Sequence, residues 1–233
     1  PLEDLIHDVR KMNANLGNIA TELESKLKGS RDPEVMAGNI MALSQILSNR
    51  LDFADASDYF DDDESRKSIN HVYKKLDKNI KAFRILANQK KITINFSGNS
   101  QTEIRGPRTL EVLFYILLDN MIKYAPDNSK IDVRLEENND KILILFSGYG
   151  PEIIQDEMAK IFDRGFRGRA AKNHTKDGSG IGLYVAKNIA QNGFNGDLVA
   201  RQTVDGYPRK GINYLDTVFE SRLETGRTPV SRM

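Results

Sequence analysis

A heptad pattern near the start of this 233-residue chain is the feature that most constrains its fold. Apolar side chains recur at alternating spacings of three and four residues, at Leu2, Leu5, Val9, Met12, Leu16, Ile19 and Leu23. That spacing is typical of a helix that packs through one narrow stripe, as in a coiled coil or a helical bundle. Such a stripe has to be covered by another helix.

A second helix follows after a short connection. Gly29 suits the left-handed position at a helix end, and Asp32 and Pro33 are favourable at a helix start. Two long helices with a short loop predict an antiparallel hairpin, which we assign to residues 1–62. One hairpin cannot cover the whole stripe, so we expect two copies of the chain to form a homodimer through a four-helix bundle.

The rest of the chain predicts a second domain over residues 66–225, after the acidic run Asp61–Ser65. The positions of Ile69, Val72, Leu76, Ile80 and Phe83 predict a helix, and further helices are expected over 108–125, 153–161 and 181–191. Strands are expected near 92–96, 131–135, 142–146, 196–203 and 214–223. We therefore predict an α+β protein in which the helical hairpin precedes a two-layer α/β sandwich with a mixed, mostly antiparallel sheet.

Composition excludes several functional classes. The chain has 34 Lys and Arg against 33 Asp and Glu, which argues against nucleic-acid binding through a broad basic face. It has no cysteine, so disulfides and thiolate zinc sites are excluded. No apolar run approaches the roughly 20 residues that span a bilayer, so we expect a cytoplasmic fragment with no membrane contact. Because the sequence starts at Pro1 without Met, we expect it to be part of a longer protein, which can be membrane-anchored elsewhere.

Three alternating glycines point to a phosphate site. Gly178, Gly180 and Gly182 precede Leu183, where an apolar helical pattern begins. Glycine tolerates positive φ and lets the backbone approach a phosphate closely, and a helix N-terminus points free N–H groups at an anion. A plain turn or a tight contact between a helix and a sheet gives the same pattern, so the run alone leaves both interpretations open.

Two further motifs precede the glycine run. Asn120, Lys123 and Tyr124 stand at the end of an apolar helical segment, and Arg164 and Arg167 lie between them and the glycines. Each motif alone is also compatible with the polar face of an amphipathic helix. In this order and spacing, over roughly residues 66–223, they resemble the GHKL-type ATP-binding domain of sensor histidine kinases, a relative of the gyrase and MutL ATPase domains.

The resemblance implies ATP and Mg²⁺ as cofactors and a role for each matching residue. Asn120 would hold the Mg²⁺ that bridges the phosphates, and its amide oxygen suits a hard cation. Lys123 would contact phosphate, Tyr124 would lie beside the adenine, and the arginines would reach the γ-phosphate or carboxylates of the neighbouring domain. The nucleotide-binding residues implied are Asn120, Lys123, Tyr124, Gly148, Gly150, Arg164, Arg167, Gly178, Gly180, Gly182 and Leu183.

Two positions depart from the family pattern. Ile116 replaces an asparagine, and Phe146 stands where the family has an aspartate that accepts a hydrogen bond from the adenine (Ser147 in an alternative alignment). Losing a hydrogen bond to a charged group costs roughly 1.5–3 kcal/mol. We therefore expect ATP affinity to be weaker by about one to two decades, with the phosphate end intact.

His7 is the candidate nucleophile. It falls at heptad position f, farthest from the stripe, and a neutral imidazole with a pKa near 6.5 can attack a phosphoryl group. Asp8 is placed to fix its tautomer. The run of His7, Asp8 and Arg10 resembles the H-box of the dimerisation and phosphotransfer domain, although Lys11 replaces the residue tied to phosphatase activity.

Two other histidines fall outside these motifs. We expect His71 to be a helix surface residue and His174 to be a bystander in a mobile lid over residues 165–177.

Two functions remain open from the sequence. The first is a histidine protein kinase, the core of a two-component system, which autophosphorylates His7 from Mg·ATP and passes the phosphoryl group to an aspartate on a response-regulator receiver domain. The alternative is a pseudokinase or histidine phosphotransfer scaffold that dimerises and docks a response regulator but binds ATP weakly or not at all. A gyrase- or MutL-like ATPase is a poorer match, because the heptad hairpin would have no role.

Overall fold

The computed structural model describes Ile46 and residues 68–138, 140–174 and 178–225. Apart from Ile46, the predicted hairpin therefore lies outside the described residues, together with His7 and Asp8. Its one described residue, Ile46, is helical and packs against the hydrophobic core.

The second domain is built on a five-stranded sheet with the order β2-β4-β5-β7-β6. The pair β2–β4 is parallel and the other three pairs are antiparallel. A separate antiparallel ribbon joins β1 to β3. The strands are β1 (Ser68–His71), β2 (Thr93–Ser97), β3 (Glu103–Gly106), β4 (Lys130–Glu137), β5 (Lys141–Pro151), β6 (Asp197–Arg209) and β7 (Ile212–Glu224).

Helices cover one face of this sheet. The longest are α1 (Val72–Gln89) and α2 (Leu110–Tyr124), and α5 (Gly182–Asn188) continues into one π-helical turn (Ile189–Gly193). Short helices α3 (Gln155–Met158) and α4 (Arg169–His174) lie in the connection between β5 and α5.

Alternation along the strands decides which face is covered. On β5, Ile142, Ile144 and Phe146 are fully buried. Their neighbours Leu143 and Leu145 are only partly buried. Helix α2 is apolar around most of its circumference and packs centrally against β5 and α1, as expected for a core helix. The predicted α/β sandwich with a mixed, mostly antiparallel sheet is therefore confirmed.

Three local predictions are wrong. Ile69 is not part of α1: it lies in β1 and is 65% exposed. The adjacent Asn70 is buried and its amide donates to the carbonyl oxygen of Gly106 at 3.2 Å, which fixes this segment to β3. His71 also lies in β1, where its Nδ1 is 2.9 Å from Glu103 Oε1. The helix expected over 153–161 is shortened to α3.

Among the described residues, no helix is both long enough and apolar enough to cross a bilayer.

Candidate nucleotide-binding site

The end of α2 presents the first group of predicted site residues. Asn120, Lys123 and Tyr124 lie in its last turns and are partly exposed. The helix stops because Ala125 takes an extended conformation, with ψ 145°, before Pro126. The Ala125 N–H still bonds to the Met121 carbonyl at 3.0 Å. The backbone that carries the polar side chains therefore stays helical up to Tyr124.

The glycine run lies directly against these side chains. Gly178 and Gly180 have φ values of 135° and 73°, which other residues adopt only with strain. A Cβ at Gly178 would lie 3.0 Å from Lys123 Nζ, and one at Gly182 would lie 3.9 Å from Asn120 Nδ2. The fold therefore brings together two motifs that are more than fifty residues apart in the sequence.

The arginine segment is hydrogen-bonded to the same loop. The Gly165 N–H donates to the Gly180 carbonyl at 3.0 Å. The Arg167 guanidinium carbon lies 3.6 Å from the Cβ position of Gly178, and its side chain bonds to Tyr124. Arg164 is exposed, and none of these contacts includes it.

Charge around the loop favours an anion. The cationic groups of Lys123 and Arg167 both lie beside Gly178, which has no side chain to block access to the backbone. Burial raises the pKa of the Tyr124 hydroxyl, while the charge of Arg167 and its hydrogen bond oppose that rise. Among the described residues, no group of three or more His, Cys, Asp or Glu side chains could hold a metal ion. The amide oxygen of Asn120 is the kind of ligand that Mg²⁺ accepts together with phosphate oxygens.

Of the two glycines of β5, Gly148 lies against α2 and Gly150 lies against β7. A Cβ at Gly148 would lie 3.0 Å from Met121 Cε and 3.0 Å from the Lys130 carbonyl oxygen, and one at Gly150 would lie 3.0 Å from Thr217 Oγ1. Phe146 is fully buried in the core, paired in register with Val133 and Phe219. Gly148 is therefore the residue of β5 that lies against Met121, the residue after Asn120 in α2.

Helix α4 places His174 at this site. Its Nε2 is 3.1 Å from the Lys123 carbonyl oxygen, its ring centroid is 5.7 Å from that of Tyr124, and its Nδ1 is 3.4 Å from the Tyr214 hydroxyl. Burial lowers the pKa of His174, although the bond to the Lys123 backbone opposes this. No sequence motif indicated this placement, because Tyr214 lies 40 residues away on β7.

Comparisons with known proteins identify the family. Residues 106–225 match the family described as histidine kinase-, DNA gyrase B-, and HSP90-like ATPases, over more than half of the chain. The chain belongs to this family. Membership of this ATPase family implies ATP binding, and the matched region contains all the predicted nucleotide-binding residues.

Relatives of this ATPase-family chain include a histidine protein kinase. Histidine protein kinase SaeS of Staphylococcus aureus is 34% identical over 110 residues, which are 46% of this chain and 31% of SaeS. The match thus spans about a third of the length of that relative.

Solved structures share the fold. The catalytic domain of histidine kinase ThkA superposes with a TM-score of 0.53 and 19% identity, covering 68% of this chain and 97% of that domain. Acinetobacter baumannii histidine kinase AdeS covers 95% of this chain and 98% of its own, with a TM-score of 0.52 and 16% identity. ThkA in complex with the response regulator protein TrrA gives a TM-score of 0.53 at 17% identity, covering 98% of this chain and 61% of that chain.

Proposed function

We propose that this chain is the catalytic core of a sensor histidine kinase in a two-component system. The observation that supports this most directly is the convergence of Asn120, Lys123 and Arg167 on the glycine loop at 178–182. This arrangement offers an amide oxygen, two cations and an open backbone to one anionic ligand. The relation to SaeS agrees with this function.

The binding step uses groups of different kinds. Lys123 and Arg167 neutralise phosphate charge, and the positive-φ glycines let backbone N–H groups approach the phosphate oxygens. The amide oxygen of Asn120 is a ligand for Mg²⁺, which supplies charge neutralisation between the phosphates when it is bound. Gly148, Gly150 and Leu183 are the remaining residues that the family motifs assign to the nucleotide site. Arg164, which is exposed, is free to meet a group outside this domain.

The chemical step transfers the γ-phosphoryl group to His7. A neutral imidazole nitrogen of His7 attacks phosphorus, a P–N bond forms, the bond to the bridging oxygen breaks, and ADP leaves. Asp8 accepts a hydrogen bond from the other ring nitrogen and fixes the tautomer. An aspartate of a response-regulator receiver domain then attacks the same phosphorus, which breaks the P–N bond and frees the imidazole.

One observation favours the alternative function, a pseudokinase or phosphotransfer scaffold. Phe146 is packed into the core and offers no polar group. A chain of this kind would still dimerise and dock a response regulator, with weak nucleotide binding.

Autophosphorylation separates the two functions. The folded chain is incubated with Mg²⁺ and γ-labelled ATP beside His7→Gln and Lys123→Met, with Lys74→Met as the control because Lys74 is an exposed lysine on α1. We expect acid-labile label on the parent chain and the control, none on His7→Gln, and much less on Lys123→Met. His7→Gln should still bind Mg·ATP.

A folded parent chain that takes no label would refute the kinase. Calorimetric titration with Mg·ATP then shows whether the chain still binds nucleotide. Absence of binding supports the scaffold, and binding without label supports a nucleotide-sensing pseudokinase.

A further inference from the structure

Lys90, which follows α1, reaches the end of α2. Its Nζ donates to three carbonyl oxygens: Ile122 at 2.9 Å, Lys123 at 3.1 Å and Ala125 at 2.6 Å. An ammonium has three protons, so all of them are used at this one place. The main chain adds a fourth link, since the Asn128 N–H donates to the Lys90 carbonyl at 2.9 Å.

The end of α2 needs such a partner. The last carbonyls of a helix have no intrahelical donors, and a glycine after the helix commonly helps to satisfy them. Here Ala125 is extended and Pro126 has no N–H, so the chain itself cannot supply that cap. A cation at a helix C-terminus also interacts favourably with the helix dipole.

The capped carbonyls belong to the turn that presents the site. Lys123 is both a carbonyl partner of Lys90 and the lysine beside Gly178, and Tyr124 lies between two of the capped residues. The same Lys123 carbonyl also bonds to His174. Lys90 therefore contacts the same turn of α2 that carries Lys123 and Tyr124.

We propose that Lys90 is a positioning residue for nucleotide binding, which acts by capping the final turn of α2 and thereby fixing Asn120, Lys123 and Tyr124. This rests on the proposed function only for the identity of the ligand. Without the ammonium, the carbonyls of Ile122 and Ala125 lose the Lys90 donor and that of Lys123 keeps only His174, so the turn frays or rotates. The side chains that face the glycine loop then lose their alignment.

The test compares Lys90→Met, which keeps an unbranched apolar stem, with Lys90→Arg, which keeps the charge. Lys74→Met is the surface control on α1. Affinity is measured by calorimetry with Mg·ATP and with Mg²⁺ and inorganic triphosphate. We expect Lys90→Met to weaken the binding of both ligands by roughly ten- to a hundredfold. A loss of this size is typical when a residue that orients a metal-binding side chain is replaced. Lys90→Arg should recover part of the loss, and Lys74→Met should bind like the parent chain.

A second variant separates positioning from general destabilisation. Ile80→Val removes one methylene from a core residue of α1, and its thermal midpoint provides a reference for global loss of stability. We expect Ile80→Val to retain the parent affinity. Parent-like affinity in Lys90→Met, or an equal affinity loss in Ile80→Val at a similar midpoint, would overturn the proposal.

An NMR readout tests Lys90 without any ligand. In ¹⁵N spectra of Lys90→Met, we expect the largest shifts at residues 120–125 and at the Asn120 side-chain amide. If the parent chain fails to bind Mg·ATP, the proposed function fails, yet these shifts still decide the role of Lys90. Unchanged resonances at 120–125 would show that Lys90 does not position the turn.

Discussion

His174 bonds through both of its ring nitrogens. Nε2 lies 3.1 Å from the Lys123 carbonyl oxygen, which can only accept a hydrogen bond, so Nε2 carries the proton. Nδ1 is then the acceptor for the Tyr214 hydroxyl at 3.4 Å. One neutral tautomer satisfies both contacts, whereas protonation of Nδ1 would set two donors against each other unless the hydroxyl turned away. The imidazole therefore joins α4 to α2 and β7 in its neutral form.

This arrangement predicts a pH dependence. Burial lowers the pKa of His174 from the ordinary value of 6.5, and the charges of Lys90 and Lys123 act in the same direction, while the Lys123 backbone bond and Asp127 oppose them. Below pH 6.5 the unfolded chain takes up a proton that the folded chain does not, so the free energy of unfolding falls as the pH decreases through that value. We expect the His174 Cε1 resonance to titrate with a midpoint below 6.5, and His174→Gln assigns the signal and removes this contribution. A midpoint at or above 6.5 would contradict the prediction.

At the level of single elements, the end of α1 is closed by a residue in an unusual conformation. Lys91 has a φ of 54°, in the left-handed region, and the N–H groups of Lys90, Lys91 and Ile92 bond back to the carbonyls of Ala87 and Asn88. Glycine is the usual residue at this position because a side chain there is strained. Lys91 is exposed, so its side chain adds little packing to offset that strain.

Lys91→Gly should therefore stabilise the protein. We expect the free energy of unfolding to rise by several tenths to about 1 kcal/mol, because strain at the left-handed position is relieved. The matched control is Lys74→Gly, at an exposed position inside the same helix, which should lower stability by about 1 kcal/mol. Urea unfolding followed by circular dichroism measures both. A loss of stability in Lys91→Gly would show that the lysine side chain itself is needed at the helix end.

The bounds of a helix or strand could be predicted only where the sequence pattern of that segment is pronounced. The sequence predicted α2 and β4 to within a few residues, whereas β5 extends to Pro151, beyond the expected end at 146. The segment from Ile69 to His71 did not follow its helical spacing, because the buried Asn70 amide finds carbonyl partners on β3 and its continuation. That partner lies more than thirty residues away, so a local pattern could not reveal it.

For the whole molecule, the heptad stripe predicts a homodimer. Leu16 is an inner position of the stripe, and an aspartate there would place an unpaired charge in an apolar helix interface. We expect the parent chain to have twice the mass of one chain by light scattering and Leu16→Asp to have the mass of one chain. Lys11→Asp, which lies outside the stripe, is the control and should remain a dimer. A monomeric parent chain at micromolar concentration would contradict the four-helix bundle.

The whole-molecule arrangement also explains why the phosphate end could be predicted and its surroundings could not. Asn120, Lys123 and the three glycines follow short motifs whose residue types are dictated by the chemistry of anions and hard cations, so the sequence alone pointed to them. The contacts of Lys90 with α2, of His174 with Tyr214 and of Gly148 with Met121 join residues that have no local relation. They exist only because α1, α2 and β7 pack around one sheet.

The amino-acid sequence by itself determined the family motifs, the order of the main helices and strands, and the two-layer architecture, because periodicity and residue chemistry act over a few neighbours. Tertiary structure alone decided which groups surround the motifs. It placed an ammonium at the end of α2, an imidazole beside Tyr124 and a glycine opposite Met121, since each of these contacts depends on how distant elements fold against one another.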